Sequence, residues 1–295
     1  MTVASPHSHP PARYRAGGAA LLALALGAGI AGCSSGVAVP PGSSNDSLGQ
    51  AVQHQTASYI VLDLSSGSAS SAQNLGDLTS NAAYRDSLMV FTRVPAGSGQ
   101  IGSPVSEVGH QPGEVLATAT FNDFLIGTFE VTQQQWNRLR PDLAVASPGA
   151  QPVTGISLQT LQAVGTSMSQ LGAAHGFTLT LPSDQQWEYA CRAGATTAFA
   201  WGDGMDAATV GRYAVIGQAS GTLLSGPLAV GSLAPNAFGI YDMHGNASEL
   251  TASGAVRGGS WHDATVVARA ANHQQLDSGF GHPLVGFRLV LVLAH

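Results

Sequence analysis

The sequence predicts an α+β domain with few helices, short strands and long loops. Three observations carry that expectation: short apolar runs that end at turn residues, Ser/Thr-x-x-Gln boxes that open short helical patterns, and 37 glycines that punctuate the rest. Hydrophobic residues make up 44% of the chain and charged residues 9%, the balance of a folded chain and not of a disordered one. No internal repeat is evident.

The first segment reads as an export signal. Arg13 and Arg15 precede the apolar run "AGGAALLALALGAGIAGC", which stops at Cys33. The run is shorter than the roughly 20 apolar residues a spanning helix needs. "IAGC" resembles the bacterial lipobox, which implies cleavage before Cys33 and a lipid on its thiol; an ordinary cleaved signal with an incidental cysteine is the alternative. "SSGVAVPPGSSNDS" suits a flexible tether. The expected organisation is a lipoprotein signal at 1–32, a tether at 33–56 and one domain at 57–295, with its core at 88–292. The mature chain keeps nine Arg against seventeen Asp plus Glu, and only Cys191 as an unmodified thiol. No intramolecular disulfide can form, so the fold relies on its core. The chain has no Lys and no basic run, which argues against nucleic acid as a partner.

Along the domain, "YIVLDLSSG" is strand-like, and "SLMVFTRVPAG" is a strand ending in a turn. "FLIGTFEVTQQQWNRL" is a strand running into a helix, with Thr132 as N-cap and Gln135 completing a capping box. "SLQTLQAVGTSMSQLGAAHG" has helical periodicity and closes at Gly176. "FTLTLP" follows as a strand. Ser183 then caps "SDQQWEYACRAG", whose exit is expected at Gly194. Beyond it come short strands and glycine-rich loops.

Six blocks carry a family resemblance: "VFTRVPAGSGQIGSP", "FLIGTFEVTQQQW", "LPSDQQWEYACRAGATTAFAWGD", "APNAFGIYDMHGNASEL", "VRGGSW" and "VGFRLV". In this order they resemble the formylglycine-generating enzyme, or sulfatase-modifying factor, family. The resemblance implies a C-type-lectin-like α+β fold. In the enzymes of that family it also implies two cysteines shortly after the Gly-Gly-Ser block, which bind Cu(I) and oxidise a substrate cysteine with oxygen. That chemistry needs thiolates, which are soft ligands for Cu(I). From Gly258 to Arg288 this chain has no cysteine. His262 and Asp263 stand near the first expected position, Val267 and Ala268 near the second. No copper is expected.

Trp261, His262, Asp263 and His273 are the candidate groove residues. On an extended strand His262 and Asp263 point to opposite faces, which disfavours their sharing one ion. The expectation is that one packs or hydrogen-bonds beneath the groove while the other is solvated; a non-copper iron or zinc site and a polar ligand contact are the alternatives. In "YDMHGNASEL" the resemblance implies calcium, held by Asp242, the carbonyls of Gly245 and Ala247, and Glu249; a purely structural turn is the alternative. This chain has Ser248 and Leu250 where the family usually has Trp. A second family calcium loop falls on "RYAVIGQASGTLLSGPLAVGS", which lacks the Asn and Asp donors, so that site is expected to be lost. Cys191 is expected to be a buried hydrophobe, and Glu130, Arg269 and Arg288 to form buried ion pairs.

Two functions follow as expectations. The first is a lipid-anchored bacterial envelope protein, attached to a membrane through Cys33, whose domain binds or scaffolds a peptide, protein or glycan without cysteine oxidase activity. The second is an enzyme of the wider family that uses non-cysteine residues in the same groove.

Overall fold

The computed structural model describes residues 56–163, 175–217 and 224–293. The signal, Cys33 and the tether expected up to residue 55 lie outside the described residues, as do most of the expected long helix (164–174) and the middle of the second calcium loop (218–223).

Strands from both ends of the domain meet in one six-stranded antiparallel sheet. Its members are β1 (Tyr59–Asp63), β2 (Ala69–Ala72), β3 (Leu88–Val94), β6 (Phe124–Gly127), β7 (Phe177–Thr180) and β12 (Val290–Leu293), in the order β2-β1-β3-β6-β12-β7. The two-residue period of a strand explains how this sheet buries both faces. Ile60, Leu62, Met89 and Phe91 enter the main core with Trp136 and Phe287. The intervening Val61 and Val90 pack on the other side with Leu78, Phe129 and Val230. Each such side chain contributes about 1.5–3 kcal/mol on burial.

β4 (Gly97–Ile101) and β5 (Ala117–Phe121) form a separate hairpin-like pair joined by a long loop. A four-stranded sheet in the order β10-β9-β8-β11 is built from β8 (Ser248–Leu250), β9 (Ala255–Arg257), β10 (His273–Gln275) and β11 (Val285–Gly286). Only β11 with β8 is parallel in it.

The helices are short, so tertiary packing and capping stabilise them more than propensity does. Helix α1 (Gln133–Leu139) carries the expected box: Gln135 N–H donates to Thr132 Oγ1, and Thr132 N–H to Gln135 Oε1, both at 3.1 Å. Helix α2 is described over 158–163. Helix α3 (Asp184–Arg192) has the same reciprocal pair between Ser183 and Gln186. Its left-handed exit comes one residue before the expected Gly194, at Ala193 with φ 47°. Helix α4 (Ala207–Tyr213) is capped by Asp206.

Candidate functional site

The segment after β9 enters the groove by a close backbone approach. Gly258 and Gly259 have φ of 85° and 66°, in the left-handed region. A Cβ on Gly258 would lie 3.1 Å from Trp187, and one on Gly259 3.2 Å from Ala268. Only glycine combines that conformation with that proximity. The chain then closes a turn in which Ser260 N–H and Oγ–H both donate to Asp263 Oδ2, at 2.8 and 2.6 Å. Trp261 N–H donates to Asn246 O at 2.9 Å and ties the turn to the neighbouring loop.

The candidate groove residues are neighbours that serve different ends. Asp263 is half-buried and engaged by Ser260, while His262 is exposed, its ring edge-on to Trp261 at 5.4 Å between centroids. His273 is half-buried on β10, with Nδ1 3.2 Å from Ala271 O. Asp263 lines a cavity of about 310 Å³ together with Asn272, Gln274, Gln275 and His282. His273 lines an adjoining cleft of about 540 Å³, whose opposite wall is Gly109, Gln111, Pro112 and Gly113. The two share Val267, Asn272, Gln274 and Gln275 in their lining.

Buried ion pairs fix its walls. Arg269 is 1% exposed; Nη1 donates to Glu107 at 2.6 Å and to Glu114 at 2.8 Å, Nη2 to Glu114 at 2.8 Å, and also to Gly109 O. Burial pushes the Glu114 carboxyl up, but hydrogen bonds from Arg269 and Ser103 outweigh it and hold the group below the usual carboxylate range. Beneath the groove, Glu188 accepts from Arg192 at 2.8 Å and from Arg257 at 3.3 Å. These pairs join the loop before β5, helix α3 and β9 to the segment after Ser260.

Of the residues expected to hold calcium, Glu249 is already engaged inside the core. Glu249 Oε1 accepts from Arg288 Nη2 at 2.6 Å, and Oε2 accepts from Arg288 Nε and Trp187 Nε1, each at 2.7 Å. A dication on this carboxylate would have to displace a bidentate guanidinium inside the core. Asp242 gives Oδ2 to Gly231 N–H at 2.6 Å, and the loop from Gly245 to Ala247 is held from its N–H side, with Ala247 N–H on Glu130 Oε1 at 2.8 Å. Among the described residues, no three His, Cys, Asp or Glu side chains come together to hold a metal. Arg269 and Arg288 are ion-paired as the sequence suggests, whereas Glu130 is not. Its oxygens accept from Asn246 Nδ2 and Ala247 N–H, at 2.6 and 2.8 Å. Burial, then the charges of Asp242 and Glu249, push its carboxyl well above the ordinary range.

Residues 78–293 match the family described as sulfatase-modifying factor enzyme 1-like domain. The chain belongs to that family. Its fold is similar to that of PvdO from Pseudomonas aeruginosa, with 25% identity, a TM-score of 0.60, and coverage of 69% of this chain and 94% of that one. It is also similar to Treponema denticola variable protein 1 (19% identity, TM-score 0.58, 69% and 95% coverage). CarF matches at 19% identity and a TM-score of 0.51, over 69% and 98% of the two chains. The last two likenesses concern the fold alone. No curated protein matches the sequence.

In this sulfatase-modifying factor-like domain, the thiol among the described residues is Cys191, fully buried on α3. Burial raises its pKa far beyond that of a free thiol. It sits 3.4 Å from His244 Nε2, which also accepts from Ala200 N–H at 3.1 Å; His244 Nδ1 faces Ala268 O at 2.7 Å. Burial pushes the imidazole down to about 4, so neither partner is charged near neutral pH and the pair packs as a neutral contact. Sequence reasoning missed His244 and Glu188, whose partners come from distant segments. It also missed Gln274 and Gln275, polar residues on a three-residue strand with no spacing signal to mark them.

Proposed function

We propose that this chain is a lipid-anchored envelope protein whose sulfatase-modifying factor-like domain binds or scaffolds a ligand in the groove beside β10, without converting cysteine to formylglycine. One observation carries the reading: the groove segment from Gly258 to Arg288 has no cysteine, and the remaining domain thiol, Cys191, is fully buried. Without a thiolate nothing holds Cu(I) or forms a mixed disulfide with a substrate cysteine. The imidazole of His262 is solvated and the carboxylate of Asp263 is engaged in its own turn.

The test is to load purified protein with Cu(I), supply oxygen and a sulfatase-type cysteine peptide, and trap any aldehyde with an aminooxy reagent. No aldehyde is expected. Copper-dependent aldehyde would overturn the reading, and a different turnover that collapses in a folded His262→Ala variant would move the protein to the enzyme alternative. The anchor is checked by fractionation: Cys33→Ser is expected to leave the membrane fraction or remain unprocessed, and unchanged membrane attachment and cleavage would refute it.

A further inference from the structure

Helix α3 seats the two-stranded hairpin and leaves its outer strand unpaired. β4 (Gly97–Ile101) is the inner strand. Just before it, Tyr189 Oη donates to Pro95 O at 3.3 Å. Just after it, Gly102 N–H donates to Glu188 Oε1 at 2.8 Å, and Arg192 Nη2 donates to Gly102 O at 2.7 Å. The Tyr189 side chain lies on the strand itself: a Cβ on Gly97 would come 2.8 Å from it, and one on Gly99 2.7 Å. Phe121 stacks on the same ring, with 4.2 Å between centroids. Gly97 and Gly99 pair with Phe121 and Ala119, so one face of both strands rests on Tyr189. β5 (Ala117–Phe121) is thereby fixed in place, and its other face carries Thr118 and Thr120, both exposed.

β5 pairs on one side only, with β4. In an antiparallel pair, alternate residues direct their N–H and C=O groups away from the partner strand. One set of β5 backbone groups therefore faces outward, and among the described residues no backbone bond reaches it. Natural sheets guard such an edge with Lys, Pro, a bulge or a covering segment. Ala117–Phe121 contains neither Lys nor Pro, and its register with β4 runs through all five residues without a bulge. Val115 and Leu116, which lead into the strand, are 73% and 48% exposed. An unguarded edge beside exposed apolar side chains is a surface for association.

Charge decides what covers it. Between Arg93 and Asp123, which pair with each other, the charged residues are Glu107 and Glu114, and both turn inward onto Arg269. The strand and its flanks thus offer nothing to steer an acidic or basic partner, and no Lys or Arg for an anionic lipid surface. They also hold no charge that would repel a second copy of themselves. An antiparallel strand paired with its own copy across a two-fold axis closes the contact, because each edge covers the other and none remains. We infer that the chain forms a two-fold dimer through β5, which joins two hairpins into one four-stranded sheet in the order β4-β5-β5-β4. Full overlap of the strand puts Ala119 on the axis and sets Thr118 opposite Thr120 of the second copy. Threonines in directly opposed positions hydrogen-bond and stabilise such a pair. No residue of β5 lines either cavity beside β10, so this contact is separate from the groove.

The test is sedimentation velocity on the full chain from about 1 to about 300 μM, the range in which a small interface associates. The wild type is expected to pass from monomer to dimer and no further. Thr118→Lys combined with Thr120→Lys sets like charges opposite each other across the axis, and should weaken the dimer at least tenfold. Thr118→Lys combined with Thr120→Glu sets opposite charges there instead, and should bring the dimer back to within threefold of wild type. Hydrogen exchange on the wild type supplies a readout independent of how the variants fold: amides within Ala117–Phe121 should slow as protein concentration rises. A monomer throughout the range, growth beyond the dimer, or a dimer unmoved by the two lysines overturns the inference. So does a dimer lost equally in the lysine–glutamate variant, which would break the Thr118–Thr120 register. Amides that slow with phosphatidylcholine vesicles and not with concentration overturn it in favour of a membrane surface.

Discussion

Asp242→Asn should make this protein more stable at neutral pH. Glu130, Asp242 and Glu249 are all buried, and the Arg288 guanidinium pairs with Glu249. Burial first, with the Glu249 charge adding to it, raises the Asp242 carboxyl from 3.8 to about 6. An acid whose folded pKa is raised binds more protons in the folded state than in the unfolded one between those two values. Stability therefore falls as pH rises from about 4 to about 6 and stays lower above that window. A shift of about two units at ~1.4 kcal/mol each sets a cost of roughly 3 kcal/mol at pH 8. Asn removes that cost and keeps an oxygen for Gly231 N–H, which Asp242 accepts at 2.6 Å. It also tolerates the left-handed backbone, at φ 60°. In urea titrations the variant should match wild type near pH 4 and exceed it by about 1–3 kcal/mol at pH 8. A variant less stable at pH 8, or a difference that does not change with pH, would refute the electrostatic account.

Two further predictions concern the ions. Arg269→Met leaves Glu107 and Glu114 buried without their partner, and should cost about 3–5 kcal/mol in urea unfolding; a loss below about 1 kcal/mol would show that the network is not holding the loop. Melting temperature should be the same in excess calcium and in chelator, because Glu249 already holds Arg288 and Trp187; a calcium-dependent rise would restore the ion-binding loop, since a ligand of the folded state stabilises it by mass action.

What the sequence made legible was local. Thr132 with Gln135 and Ser183 with Gln186 sit three residues apart, so the boxes can be read without a fold, and both form. The runs of β1, β3 and β7 likewise stand out because each is short and ends at turn residues. The partners of buried charges were not legible. Arg288 finds Glu249 39 residues away and Arg269 finds Glu114 155 residues away. Residue type alone gave Glu130 an ion pair, and the fold gave it amides. The calcium set shows the same limit: a motif lists donors, but it does not show that another segment engages one of them, as Arg288 and Trp187 engage Glu249.

The positions that would carry the family's thiols explain why the groove can persist without them. Near the first, His262 is exposed, while Asp263 has its carboxylate folded back onto Ser260 in the turn from which Trp261 N–H reaches Asn246 O. Near the second, Val267 is half-buried, and Ala268 is fully buried, packs against the Gly259 backbone and offers its carbonyl to His244. Both positions are occupied by groups that hold the backbone, and the ion pairs below, Glu188 with Arg192 and Arg257, are complete without them. The shape of the groove thus rests on residues separate from those that would react. A groove built this way keeps its walls through Arg269, Glu107 and Glu114, whatever residues stand at the two positions.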